Sequence, residues 1–178
     1  MEKVYTENDL EILVATMNRT NLDFLTAMFP YNHFSEYSIL IVNQSNDTSL
    51  ASIYPSVRII NSDSVGLSKS RNLAIKNANG KIILIADDDV VFQKDFVSKI
   101  IAGYNKCKNA VVINFSAVIG NGSYLKKYPA HSKKQLNTFD IFNVSSIEMT
   151  INKERLDSIG VLFDENFGLG GKFEMGEE

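Results

Sequence analysis

The sequence predicts an α/β domain with a mostly parallel central sheet flanked by helices, and two observations predict it. Strand-like apolar runs alternate with helix-like segments over roughly the first 115 residues, the order that builds parallel sheets. Ile82 to Ala86 is an unbroken five-residue apolar run, which suits a central strand covered on both faces.

In chain order, Glu11 to Ala15 reads as the first strand, followed by the polar loop Thr16 to Thr20. Leu22, Leu25 and Phe29 recur at helical spacing until Pro30, predicting a helix over Leu22 to Phe29. Tyr37 to Val42 is the second strand, closed by the polar turn Asn43 to Asp47, and Val57 to Ile60 is the third. From Gly66 the spacing of Leu67, Leu73, Ala74 and Ala78 predicts a helix, with Ser68 or Ser70 near its start and Asn79-Gly80 as its stop. The strand over Ile82 to Ala86 comes next, then a helix over Phe96 to Tyr104 with Asp95 as its N-cap, then a strand over Ala110 to Phe115. Ser116 to Lys134 has little periodicity and holds glycines, a proline and four lysines, so it is expected to be a long mobile loop or flap. Two strand-like runs, Phe139 to Val144 and Ile147 to Ile151, precede a short helix over Glu154 to Ile159 that stops at Gly160.

At 178 residues the chain is about one domain in length and can bury most of its apolar surface. The net charge of −3 and the scarcity of clustered Lys and Arg argue against nucleic-acid binding. The single cysteine, Cys107, cannot form an internal disulfide and lacks the Cys or His neighbours of a zinc site, which suits a reducing compartment. Nothing at the N-terminus has the apolar core of a signal peptide, and no apolar run approaches the ~18 residues of a membrane span, so a cytoplasmic chain is expected.

The apolar run ends abruptly in Asp87, Asp88 and Asp89. Ligands of open α/β sheets sit beyond the carboxyl ends of the strands, which puts these acids at the ligand crevice. Adjacent carboxylates repel one another and raise each other's pKa unless a cation intervenes, and hard oxygen ligands suit Mg²⁺ or Mn²⁺. A bare acidic turn closing a strand has the same composition, since Asp is common in turns. Context decides between them.

That context is the block GLSKSRNLAIKNANGKIILIADDDVVF, together with the ending INKERLDSIGVLFDENFGLGGKFEMGEE. The first block resembles the helix, glycine turn, apolar strand and DXD motif of family 2 glycosyltransferases of the GT-A fold. The second is similar to that family's acceptor-side segment, which ends in an acidic pair. The resemblance covers nearly the whole chain and implies one GT-A domain over 1–178, with a nucleotide-sugar half over about 1–115 and an acceptor half over about 116–178.

By that resemblance the donor is a nucleotide sugar, expected to be a UDP-sugar, and the acceptor a glycan or a lipid-linked sugar. The latter would bring the protein to the inner face of the membrane. Mn²⁺ or Mg²⁺ would be the cofactor, held by Asp87 and Asp89, with Asp89 in direct contact and Asp87 nearer the ribose. Asp88 is the variable middle position of the motif and completes the donor-binding set with Asp87. Thr16 and Asn18 would lie beside the base and ribose, Arg71 near the base, and Asn43 at the base edge, where the family usually has Asp. Glu178 stands where the family has its catalytic base, usually Asp, and Glu177 would be its acceptor-orienting neighbour. Family members continue beyond this pair, so the chain resembles one truncated at its C-terminus.

Other readings remain open at this level. A haloacid-type phosphatase also sets Asp-x-Asp after an apolar strand, but places that strand first, whereas here it comes fourth. A sugar nucleotidyltransferase needs a Gly-rich basic loop after its first strand, which ATMNRTN lacks. A catalytically silent nucleotide-sugar-binding domain would keep the same acids without turnover.

Overall fold

Leu10–Met17 forms β1, Ile39–Gln44 β2, Val57–Ser62 β3 and Ile82–Asp87 β4, and these four strands pair in parallel. The computed structural model describes residues 4–173. The sheet has six strands in the order β3-β2-β1-β4-β6-β5, where β5 is Val112–Asn114 and β6 is Met149–Asn152. β6 runs antiparallel to both of its neighbours, so the sheet is mixed at one side and parallel through its centre.

The alternation of side chains along each strand divides the core in two. Ile12 and Val14 of β1, Ile39 and Ile41 of β2, and Ile82 and Leu84 of β4 face the layer that contains helix α1, Asp23–Met28, and helix α3, Phe96–Lys106. Leu13, Leu40, Val42, Ile83 and Ile85 face the opposite layer, which holds α2, Leu67–Asn77, and α5, Lys153–Ile159. All six residues of β2 are buried, which is why YSILIV carries no polar alternation. Truncating one of them, as in Ile41→Ala, removes contacts on a closed face and should cost about 2–5 kcal/mol.

Most element boundaries fall within two residues of those expected, and the differences lie at Phe139 to Val144, Ile147 to Ile151 and Asp95. Phe139 to Val144 is not a strand: α4, Thr138–Ile141, forms there instead. Asn137 accepts from the Asp140 backbone N–H, and the Asp140 carboxylate accepts from that of Asn137, a reciprocal cap that nucleates a helical turn. Ile147 to Ile151 is divided between a 3₁₀ turn, Ser146–Glu148, and β6. Asp95 occupies the N-cap position of α3 but in a left-handed conformation, φ 61°, and its side chain makes no cap hydrogen bond. The α2 helix starts at Gly66 without a side-chain cap and ends before Asn79-Gly80.

The Asn79-Gly80 pair has another purpose. The backbone N–H groups of Asn79 and Gly80 donate to the buried Glu11 carboxylate at 2.5 and 2.8 Å, and Arg58 donates to its other oxygen at 2.7 Å. A Cβ at Gly80 would lie 2.6 Å from that of Glu11, so glycine is required there by close approach.

Candidate active site

Parallel pairing brings the C-terminal ends of four strands to one edge. The register aligns Thr16 with Asn43 and Asn43 with Asn61, while Ala15 stands opposite Asp87, so Asp88 follows beside Thr16. A polar row therefore closes the α1/α3 layer of the core.

Asn18 turns the chain at the end of this row. Its φ of 55° is left-handed, a conformation Asn tolerates better than most residues. The turn sends Arg19 back over the row, where its guanidinium donates to Asp88 Oδ2 at 2.7 and 2.9 Å. The Thr16 hydroxyl donates to the same oxygen at 2.5 Å. Asn43 fixes the turn from beneath: its Oδ1 accepts from Arg19 N–H at 3.0 Å, and its Nδ2 donates to Arg19 O at 3.1 Å and Asn61 Oδ1 at 3.2 Å.

Asn43 was expected at the base edge. Its side chain is wholly buried and both amide hydrogens are engaged, so it shapes the Arg19 loop from within the protein. Asn18 lies exposed at the crevice, and Thr16 is buried against Asp88.

Asp87 points to the other face of the sheet. Arg71, 2 % exposed in the α2 helix, donates to Asp87 Oδ1 at 3.1 Å. Burial pushes the Asp87 carboxyl above the usual carboxylate range, Arg71 opposes this, and the adjacent Asp89 and Asp88 add to it. Asp89 is exposed in the turn after β4 and has no basic side chain paired with it among the described residues.

Three adjacent acids thus have three environments. Asp88 belongs to Arg19, Asp87 to Arg71, and Asp89 is exposed at the carboxyl edge of the sheet. No group of three or more His, Cys, Asp or Glu side chains forms a metal cage among the described residues. Mg²⁺ or Mn²⁺ carried in with substrate phosphates would need only one or two protein carboxylates, and Asp89 and Asp87 are of the chemistry that would supply them.

The C-terminal segment packs against the start of α2 at the same edge. The buried Asn72 side chain accepts from Phe163 N–H at 2.9 Å and donates to Phe163 O at 2.9 Å, while Ser68 donates to Phe167 O at 2.8 Å. Leu67 N–H donates to Leu169 O at 2.8 Å. Gly66, at φ 140°, is held by the Gln44 side-chain amide, which donates to its carbonyl at 2.7 Å and accepts from its N–H at 3.2 Å. Glu177 and Glu178, expected to carry the acid–base chemistry, lie outside the described residues.

The loop expected to be a free flap is anchored at its middle. Glu148, 3 % exposed, accepts from the Tyr128 hydroxyl and pairs with Lys126 Nζ at 2.9 Å, and the Tyr128 hydroxyl in turn accepts from Ala117 N–H at 3.0 Å. An isolated bridge joins Val118 to Tyr124.

Sequence reasoning overlooked Arg19, Gln44, Asn61 and Glu148. Charge balance at the aspartates could have singled out Arg19, which follows the end of β1 on that edge. Gln44 and Asn61 become legible only once the register is known.

The match to a family model is decisive here: the model described as glycosyl transferase family 2 covers residues 32–169. The chain belongs to glycosyl transferase family 2. Among solved structures it is similar to TarS 1-349 of S. aureus, with a TM-score of 0.61 and 18% identity over 87% of this chain and 50% of that one. The same TarS fragment in complex with UDP-GlcNAc matches with a TM-score of 0.59 and 18% identity over 89% and 49% of the two chains. A mannosyltransferase of Pyrobaculum calidifontis, PcManGT, in complex with GDP-Man and Mn²⁺, matches with a TM-score of 0.50 and 14% identity over 90% and 48%. The chain thus spans about half the length of these structures. No curated protein sequence matches it. The likeness establishes for this family 2 chain the GT-A-like fold: a six-stranded, mostly parallel sheet flanked by helices. No helix among the described residues is long and apolar enough to cross a membrane.

Proposed function

We propose that the chain transfers a sugar from a nucleotide-diphosphate donor to a hydroxyl of a glycan or lipid-linked acceptor, with inversion and with a divalent cation. The observation that carries this is the division of the three aspartates, which leaves Asp89 exposed at the carboxyl edge of the sheet with Asp87 held beside it by Arg71. The similar structures with UDP-GlcNAc and with GDP-Man and Mn²⁺ support a nucleotide sugar as donor. A UDP-sugar is the donor proposed. A lipid-linked acceptor would bring the protein to the inner, cytoplasmic face of a membrane.

Asp89, with Asp87, would hold Mg²⁺ or Mn²⁺ against the donor diphosphate. Bound there, the cation supplies positive charge opposite the oxygens on which negative charge collects as the nucleotide departs. Thr16 and Arg19 keep Asp88 turned toward the β1 loop, away from Asp87, so that the loop carrying Asn18 borders the nucleoside. Glu178 is the proposed base. It takes the proton of the acceptor hydroxyl while that oxygen bonds to the anomeric carbon from the face opposite the diphosphate, and the breaking C–O bond leaves its electrons on the phosphate. Glu177 orients the acceptor.

The test is calorimetry of UDP, UDP-GlcNAc and GDP-Man with and without Mn²⁺, followed by product analysis with a free sugar acceptor. Donor binding that is tighter with Mn²⁺, with transfer of inverted configuration, is the expected result. Equal affinity with and without Mn²⁺ would overturn the metal role, and donor binding with neither transfer nor hydrolysis would make the chain a silent binding domain.

A further inference from the structure

Eight of the twenty exposed large hydrophobic side chains of the described residues fall between 116 and 144, a stretch that also carries four lysines against one aspartate. The rest of the chain is acidic overall, since the net charge is −3. Apolar side chains and positive charge are thus concentrated on one segment that the sheet does not need.

The segment is folded together. Leu125 N–H donates to Ala117 O at 3.0 Å, Val118 bridges Tyr124, and the Tyr124 and Tyr128 rings meet edge to face at 5.4 Å. Asn143 Nδ2 reaches Lys127 O at 3.4 Å, which sets the end of α4 beside the Lys127 backbone. Phe139 and Phe142, three residues apart and so on one side of the α4 turn, are 86% and 85% exposed. Buried Glu148 takes up Lys126, and Lys133 pairs with Asp140. Lys127 and Lys134 are exposed and have no ion pair among the described residues.

Exposed single apolar residues need no explanation, but paired aromatics flanked by unpaired lysines do. A wholly apolar protein groove would take the two phenylalanines and gain nothing from the lysines. An anionic bilayer surface satisfies both, because aromatic rings enter the headgroup boundary while lysine ammonium groups stay at the phosphates.

We infer that residues 116–144 form a docking surface for membranes bearing anionic headgroups, with Phe139 and Phe142 as the inserted side chains and Lys127 and Lys134 as the electrostatic contacts. The Glu148 clamp on Tyr128 and Lys126 joins this surface to β6 and holds it at a fixed place on the domain. This binding requires neither donor nor acceptor, so it stands or falls apart from the transferase reading.

The chain has no tryptophan, which makes Phe139→Trp a single-site fluorescent reporter. Vesicles of phosphatidylcholine alone and vesicles with about one-third phosphatidylglycerol are titrated into that variant, and the unmodified chain is tested in parallel by co-sedimentation. A blue shift and pelleting with the anionic vesicles only, both reversed by 0.5 M salt, are expected. Lys127→Glu and Lys134→Glu should each weaken the partition by about fivefold or more, from the usual worth of one juxtamembrane lysine. Phe142→Ser should weaken it by about tenfold, from loss of one buried aromatic ring. Failure of the unmodified chain to pellet with anionic vesicles would overturn the inference. So would a blue shift that grows with protein concentration in the absence of lipid, which would make the patch a contact between copies of the chain.

Discussion

The Arg19 guanidinium lies 2.7 Å from the Asp88 carboxylate, joining the loop after β1 to the end of β4 through residues 69 positions apart in sequence. Their side chains are 42% and 24% exposed, so solvent screens the pair but does not remove it. A double-mutant cycle with Arg19→Ala and Asp88→Ala, read by urea unfolding, should give a coupling of about 1 kcal/mol. A coupling indistinguishable from zero would show that the ion pair does not hold the loop, leaving it to Asn43 and the backbone bond from Asn18 to Gln44.

Asp89 and Asp88 should respond differently to the same change. Asp89→Asn removes the carboxylate facing the crevice and should abolish most Mn²⁺-dependent tightening of UDP binding in calorimetry. Asp88→Asn should retain it, because Arg19 and Thr16 already occupy the Asp88 oxygen they share. Equal losses in the two variants would refute this division of roles.

Asn72→Ala leaves the Phe163 backbone N–H without the acceptor it has now. Losing a partly buried hydrogen bond costs about 1 kcal/mol, so the thermal midpoint should fall. Proteolysis near residues 163–169 should accelerate more than cleavage elsewhere, and uniform destabilisation would argue against a local tether.

Tyr128 gives the protein a pH dependence at the alkaline end. Burial, and then the Glu148 carboxylate that accepts its hydroxyl, push the Tyr128 phenol up to about 12. The neutral phenol is therefore favoured in the folded chain relative to the unfolded one. Its contribution is whole below an ordinary tyrosine pKa of about 10, and is lost as pH rises toward about 12. Unfolding followed across that window should show a steeper loss of stability in the unmodified chain than in Tyr128→Phe.

Glu178→Gln should reduce transfer by about 10²- to 10⁴-fold with donor affinity little changed, if it is the general base. Transfer rate and UDP affinity measured side by side decide this. Near-normal transfer would remove Glu178 from the role, and a matching collapse in Glu177→Gln alone would move the assignment one residue back.

Periodicity made the central strands legible because β1, β2 and β4 are buried on both faces and so lack polar alternation. The acids at the end of β4 and Arg71 in the α2 helix were legible for the same reason, since a parallel sheet collects such ends at one edge. The bonds of Asn43 to the Arg19 loop were not legible because an amide at a strand end looks the same whether it faces a ligand or a neighbouring loop. Only the register, which sets it between Thr16 and Asn61 under Arg19, tells the two apart. Phe139 to Val144 was misread because an exposed aromatic pair on one helical turn has the composition of a short strand. The reciprocal cap of Asn137 and Asp140 was the overlooked signal.

Strand alternation also constrains how the acidic run can change. Asp87 and Asp88 are neighbours in sequence yet answer to arginines in opposite layers. Deleting one residue near the end of β4 would set Asp88 before Arg71 and turn Asp87 to the other layer, and inserting one would likewise turn Asp87 away from Arg71. Substitutions in this stretch can be compensated one side chain at a time, whereas a change in its length would have to be matched at once in the β1 loop and in the α2 helix.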